Sequence, residues 1–143
     1  MGINEKNIVL RGKTSKEKLQ ILEDLKDLIE EKYNWINPEK DFTYTVVMSI
    51  IDAIIIEDDA DIQYEMFQIL YNWSWFPCPD EPYDRLLSYI DRIKDAPSFI
   101  LFLRILTASG NSKYIEFFRQ YEKDENIEII KVAKEGIGIL LNR

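Results

Sequence analysis

The segment from Tyr114 to Leu141, YIEFFRQYEKDENIEIIKVAKEGIGILL, consists of two short amphipathic stretches joined by a charged break at Asp124-Glu125-Asn126. Its second stretch places apolar or small residues at Ile129, Ile130, Ala133, Gly136, Ile137 and Leu140, the spacing of a helix with one inward face. A helical pair of this size cannot bury that face alone and must stack on similar neighbours. The expected fold class is therefore all-α: a stack of about three helical hairpins preceded by an N-terminal helix.

The rest of the chain fits that plan. Thr14-Ser15-Lys16-Glu17 has the form of a capping box and opens a first helix with apolar positions at Leu19, Leu22, Leu25, Ile29 and Tyr33. Asn37-Pro38 opens a second, whose face at Phe42, Val46, Val47, Ile50, Ile51, Ala53 and Ile54 is wide enough for deep burial. A third follows the acidic run, with Ile62, Met66, Ile69, Leu70 and Trp73 inward, and stops before the prolines at 77, 79 and 82. Pro82 or Tyr83 restarts a helix through Leu86, Leu87, Ile90 and Ile93, and Asp95-Ala96-Pro97 breaks it. Phe99 to Ala108 forms the next, Gly110 stops it, and Asn111 or Ser112 caps its successor.

Ile62, Met66, Ile69 and Leu70 stand at the same relative offsets as Ile129, Ala133, Gly136 and Ile137, and both sets follow an acidic turn. One more helix lies between them, which implies a repeat of roughly 34 residues, the length of a helical hairpin. This pattern resembles the HEAT-repeat family, whose second helix carries Asp, a short spacer, Val-Arg, then Ala, then Ala-Leu. Asp124, Ile129, Ala133, Gly136 and Ile137 occupy those positions, over a region of resemblance from 42 to 141. The chain departs from the family at Ile130, where the family has Arg, and at Gln63, Met66 and Ile69 in the earlier unit. The resemblance implies a fold and is silent on function.

Composition narrows the chemistry. At 143 residues the chain has the length of one domain, 1–143, with residues 1–12 expected to form a loose tail. There is no histidine, the commonest general base and zinc ligand, and a single cysteine, Cys78, so a triad, a His-metal site and an internal disulfide are excluded. No cofactor is expected. A reducing, cytoplasmic setting fits a single cysteine and the lack of a long apolar run. The net charge of −8 disfavours nucleic acid and anionic membranes and favours a basic protein partner, since opposite charge speeds encounter.

Two clusters stand out as partner-binding candidates. Glu57, Asp58, Asp59 and Asp61 put four carboxylates within five residues at a helix start, more than capping requires. The loop that follows carries Trp75, Asp80, Glu81, Tyr83 and Asp84 on a proline-stiffened frame, an arrangement suited to a hot spot for a basic partner. Trp73 and Phe76 are expected to plug the gap between hairpins, and Trp75, two positions on from Trp73, to point away from the core. Gly136 and Gly138 in the last helix are read as sites of close helix approach, at a cost of ~1 kcal/mol each relative to alanine.

Size, acidity, the lack of a catalytic constellation and the repeat-like pattern together look like the immunity proteins that bacteria pair with nuclease toxins. That resemblance implies a non-catalytic protein that docks and neutralises a basic toxin domain. Two alternatives stay open: a HEAT-like scaffold, and a metal-dependent enzyme whose carboxylates, with Asp52 and Glu65 the nearest candidates, would have to converge in a pocket.

Overall fold

Thr14 and Glu17 exchange hydrogen bonds, the Thr14 N–H donating to Glu17 Oε1 at 3.1 Å and the Glu17 N–H to Thr14 Oγ1 at 3.2 Å. This reciprocal cap starts the first helix. In the computed structural model, which describes residues 14–32 and 40–142, α1 spans Ser15–Lys32, α2 Lys40–Ile56, α3 Ala60–Trp73 and α4 Glu81–Ser88. They are followed by α5 Ala96–Ser109, α6 Ile115–Arg119 and α7 Ile127–Leu141. Short 3-10 turns at Ile90–Arg92 and Ser112–Tyr114 complete an all-helical chain with no strand among the described residues. The expected tail, the Asn37-Pro38 start, Tyr33 and the side chains of Leu25, Ile29 and Phe42 lie outside the described residues.

The helices form two rows. In one, α3 packs against both α1 and α5, and α5 packs in turn against α7. In the other, α2 lies on α3 and carries α4, while α6 lies on α7. Contact between α4 and α5 is slight, because α4 leans on α2 and α5 on α3. One apolar core links the rows. Val46, Val47, Ile50, Ile51, Ala53, Ile54 and Ile55 of α2 are all buried, which accounts for the β-branched run in that helix. Burying each large aliphatic side chain is worth about 1.5–3 kcal/mol before chain entropy is set against it.

Local details depart from the sequence pattern where polar groups intervene. Leu19 is exposed, and Leu22 is the side chain that α1 sends into the core. In α7 the buried position is Val132, while Ile130 is only half-buried. Helix α4 ends at Ser88, so Ile90 and Ile93 belong to a 3-10 turn and its exit. That turn has a clear cause. The buried Gln63 amide donates to Ile54 O at 3.1 Å and to Arg92 O at 2.8 Å, and its Oε1 accepts the Lys94 N–H at 2.9 Å. Arg92 Nε donates to Ile55 O at 2.9 Å, so of the free carbonyls at the end of α2 one is satisfied from this segment and another, Ile54 O, by Gln63 of α3. Helix α5 begins at Ala96 because Asp95 caps it, accepting the Ser98 N–H at 3.0 Å, and Pro97 falls in the first turn where no donor is required. Gly110 ends α5 in the left-handed conformation at φ 73°, as expected for a helix stop.

Candidate partner-binding surface

The acidic run divides by role. Glu57 is only 5% exposed, pairs with Lys18 of α1 at 2.5 Å and accepts the Asp59 N–H at 3.0 Å. It is therefore withdrawn from any partner. Asp59 caps α3, its Oδ1 accepting the Asp61 N–H at 2.9 Å and the Ile62 N–H at 3.1 Å. Asp58 and Asp61 are exposed and make no ion pair among the described residues, so they remain on the surface as free negative charge. The excess over capping that the sequence suggested thus amounts to two carboxylates, since the other two hold the α2–α3 corner together.

The loop cluster divides in the same way. Tyr83, expected as a partner contact, is 2% exposed and belongs to the core. Its hydroxyl makes no hydrogen bond among the described residues, and burial, with the nearby Cys78 and Asp80, pushes its pKa well above the ordinary tyrosine value. Asp84 accepts the Tyr114 hydroxyl at 2.7 Å and Lys113 Nζ at 2.8 Å. Desolvation pushes the Asp84 carboxyl up, but the hydrogen bonds from Lys113 and Tyr114 outweigh it and leave the group below the usual carboxylate range. Tyr114 is raised by burial and by that same bond. Asp80 Oδ2 accepts Asn111 Nδ2 at 2.5 Å, and Lys113 lies 3.7 Å from it. Glu81 is exposed, and its hydrogen bond raises the pKa of Tyr44 on α2. Asp80 and Asp84 stitch α4 to the turn before α6, which is an internal use, while Glu81 keeps an exposed carboxylate.

Trp75 stands apart. Ser74 N–H closes α3 on Leu70 O at 2.9 Å, and the chain then leaves the helix with Trp75 62% exposed. Trp73 is fully buried, its ring 5.7 Å from that of Phe76, so the expected alternation of the two tryptophans holds. The Trp75 ring leans on Tyr71 at a centroid distance of 5.7 Å, which orders it without hiding it. Both rings line the mouth of a groove between α5 and α7 with a cavity volume of about 160 Å³. Thr107, Ala108 and Gly136 contribute small groups to its wall, Ile139 an apolar one, and Arg104 and Glu135 carry opposite charges at it.

The sequence gives little sign of this groove. Its walls come from helices far apart in the chain, and only the exposed Ile139 on a helix already supplied with a buried face hints at it. Gly136 is the close-approach site that was expected: a Cβ there would stand 2.7 Å from Thr107 Oγ1 and 2.6 Å from Phe118 Cδ2. Gly138 is not one, since nothing lies within 4 Å of a Cβ at that position. Asp52 and Glu65 do not converge: Asp52 is tied to Arg85 at 2.8 Å on the surface and Glu65 is exposed on α3. Among the described residues no group of three or more Cys, Asp or Glu side chains is placed to hold a metal ion, and no helix is long and apolar enough to cross a membrane.

No family model, no curated protein and no solved structure matches this chain.

Proposed function

We propose that the protein is a non-catalytic binding module that docks a basic protein partner, in the manner of an immunity protein covering a nuclease-type toxin. The observation that carries this reading is Trp75, a large aromatic side chain 62% exposed yet held against Tyr71 at the mouth of an apolar groove. A rigid, exposed tryptophan loses little freedom on binding and offers much area, which is why such residues anchor interfaces. Support for a basic partner comes from the net charge of −8 and from Asp58 and Asp61, which pair with no cation among the described residues. The fold part of the proposal is a short HEAT-like stack, supported by the succession of α1, α3, α5 and α7 in one row and α2, α4 and α6 in the other.

Affinity capture from the native cell with wild-type and Trp75→Ala baits tests the reading. One basic polypeptide recovered by the wild type and depleted with the variant is the expected result. Recovery of no basic polypeptide, or of the same set by both baits, overturns it.

A further inference from the structure

The groove beside Trp75 has the size of one side chain. Its volume of about 160 Å³ is close to that of an apolar protein cavity of ~150 Å³ that accepts benzene, and it falls well short of what a drug-sized ligand needs, roughly 300 Å³ or more. A single ring fits such a space. A helix laid along the surface would meet it with only one residue.

Its wall suits a ring. Tyr71 and Trp75 present aromatic surface and Ile139, 47% exposed, an aliphatic one, while Arg104 supplies a guanidinium able to lie against an aromatic face. Glu135 adds a carboxylate on the α7 side, and neither Arg104 nor Glu135 makes an ion pair among the described residues. With Arg104 facing the ring from the α5 side, Glu135 is the one carboxylate among the lining residues, and it suits a base at the position beside the inserted ring on the α7 side.

We infer that this groove receives one aromatic side chain from the partner, flanked by a lysine or arginine that meets Glu135. The inference rests on the binding-module reading and specifies its recognition element. Asp58 and Asp61, at the opposite end of α3 from Trp75, then act on the approach of the partner and not on its seating. Helix α3, at 14 residues, separates the two places by about 21 Å.

Three capped tripeptides serve as probes: Lys-Phe-Lys, Lys-Ala-Lys and Glu-Phe-Glu, each titrated into isotope-labelled protein and followed by NMR. Lys-Phe-Lys should shift the Trp75 indole and the Gly136 and Ile139 amides saturably, and bind at least tenfold more tightly than Lys-Ala-Lys. Glu135→Gln should weaken it about threefold or more, and Glu135→Lys should favour Glu-Phe-Glu. Equal response to all three peptides, or shifts centred on Asp58 and Asp61 with none at Gly136, overturns the inference.

A second arm separates this claim from the one beneath it. Ala108→Trp fills the groove, with circular dichroism and a thermal melt to check its fold, and Trp75→Ala removes one wall from an exposed position. If the wild type captures a basic polypeptide that Ala108→Trp retains, the groove inference fails while the binding-module reading stands. If the wild type captures none, the binding-module reading fails, and the peptide titration alone decides what the groove accepts.

Discussion

Gly136 sits against Phe118 so closely that a methyl group at 136 would stand 2.6 Å from Phe118 Cδ2, whereas Gly138, half a turn on, faces open space. The two glycines of α7 should therefore respond oppositely to alanine. Gly138→Ala should raise stability by about 1 kcal/mol, the helix-propensity difference. Gly136→Ala gains the same propensity but must move the fully buried Phe118 and the Thr107 side chain, an overpacking cost of ~1–3 kcal/mol that should lower the denaturation midpoint. Urea unfolding of both variants reads the signs. Destabilisation by Gly138→Ala would count against the close-approach account.

The acidic run should show the same division of labour. Asp59→Ala removes the side chain that accepts two N–H groups at the start of α3 and should cost about 1 kcal/mol. Asp58→Ala and Asp61→Ala, at exposed and unpaired positions, should stay within about 0.5 kcal/mol of wild type. Thermal melts suffice, and equal losses at all three positions would mean that the cap is not where the stability lies.

Two tyrosines give an alkaline signature. Burial raises the pKa of Tyr83 and Tyr114 in the folded protein, while an unfolded tyrosine titrates near ~10. Their contribution is fully present below ~10 and is lost as pH rises beyond it, because the unfolded chain releases protons that the folded chain keeps. Stability should fall between about pH 10 and 12, and less so in Tyr83→Phe. At neutral pH Tyr83→Phe should be neutral or stabilising, since it deletes a buried hydroxyl without a partner among the described residues. Tyr114→Phe should cost about 1 kcal/mol through the lost bond to Asp84. Urea midpoints at several pH values measure both effects.

Association with the captured partner should be steered by charge and held by the aromatic contact. Raising ionic strength from 0.01 to 0.15 M shortens the Debye length from ~30 to ~8 Å and should slow association markedly, with less change in dissociation. Asp58→Lys combined with Asp61→Lys should lower the association rate and leave the cap at Asp59 intact. Trp75→Ala should instead speed dissociation. Surface plasmon resonance resolves the two rates, and a salt-independent association rate unaffected by either change would move the interface elsewhere.

Helix periodicity made much of this fold legible: most inward residues of α2 and α3 follow from spacing, though not the buried Ile55, Gln63 and Phe67, and residue chemistry alone marks the Gly110 stop and the capping box at Thr14. Spacing could not tell which carboxylates are spent internally. That depends on which cations and N–H groups the fold brings to them, as with Lys18 at Glu57 and Lys113 with Tyr114 at Asp84, each from a distant part of the chain. The burial of Tyr83 is hidden for a related reason, because a tyrosine among prolines and acids carries no sign of it in the sequence. The outward aim of Trp75 was legible from its offset to Trp73, but the groove beside it was not, since its walls meet only when α5 and α7 pack.

In a stack whose units touch only their neighbours, cooperativity depends on how firmly each junction is made. The α4 and α5 helices scarcely touch each other, and the segment between them is tied to α3 through Gln63, which holds Arg92 O and the Lys94 N–H, and to α2 through Arg92 Nε on Ile55 O. Gln63 thereby adds a polar tie to a junction that α3 and α5 already make through their apolar faces. Its replacement by leucine should therefore act locally first: the segment from Ile90 to Lys94 should open ahead of the common unfolding transition, read as faster exchange of the Lys94 amide, while probes in α2 and α5 keep reporting one curve.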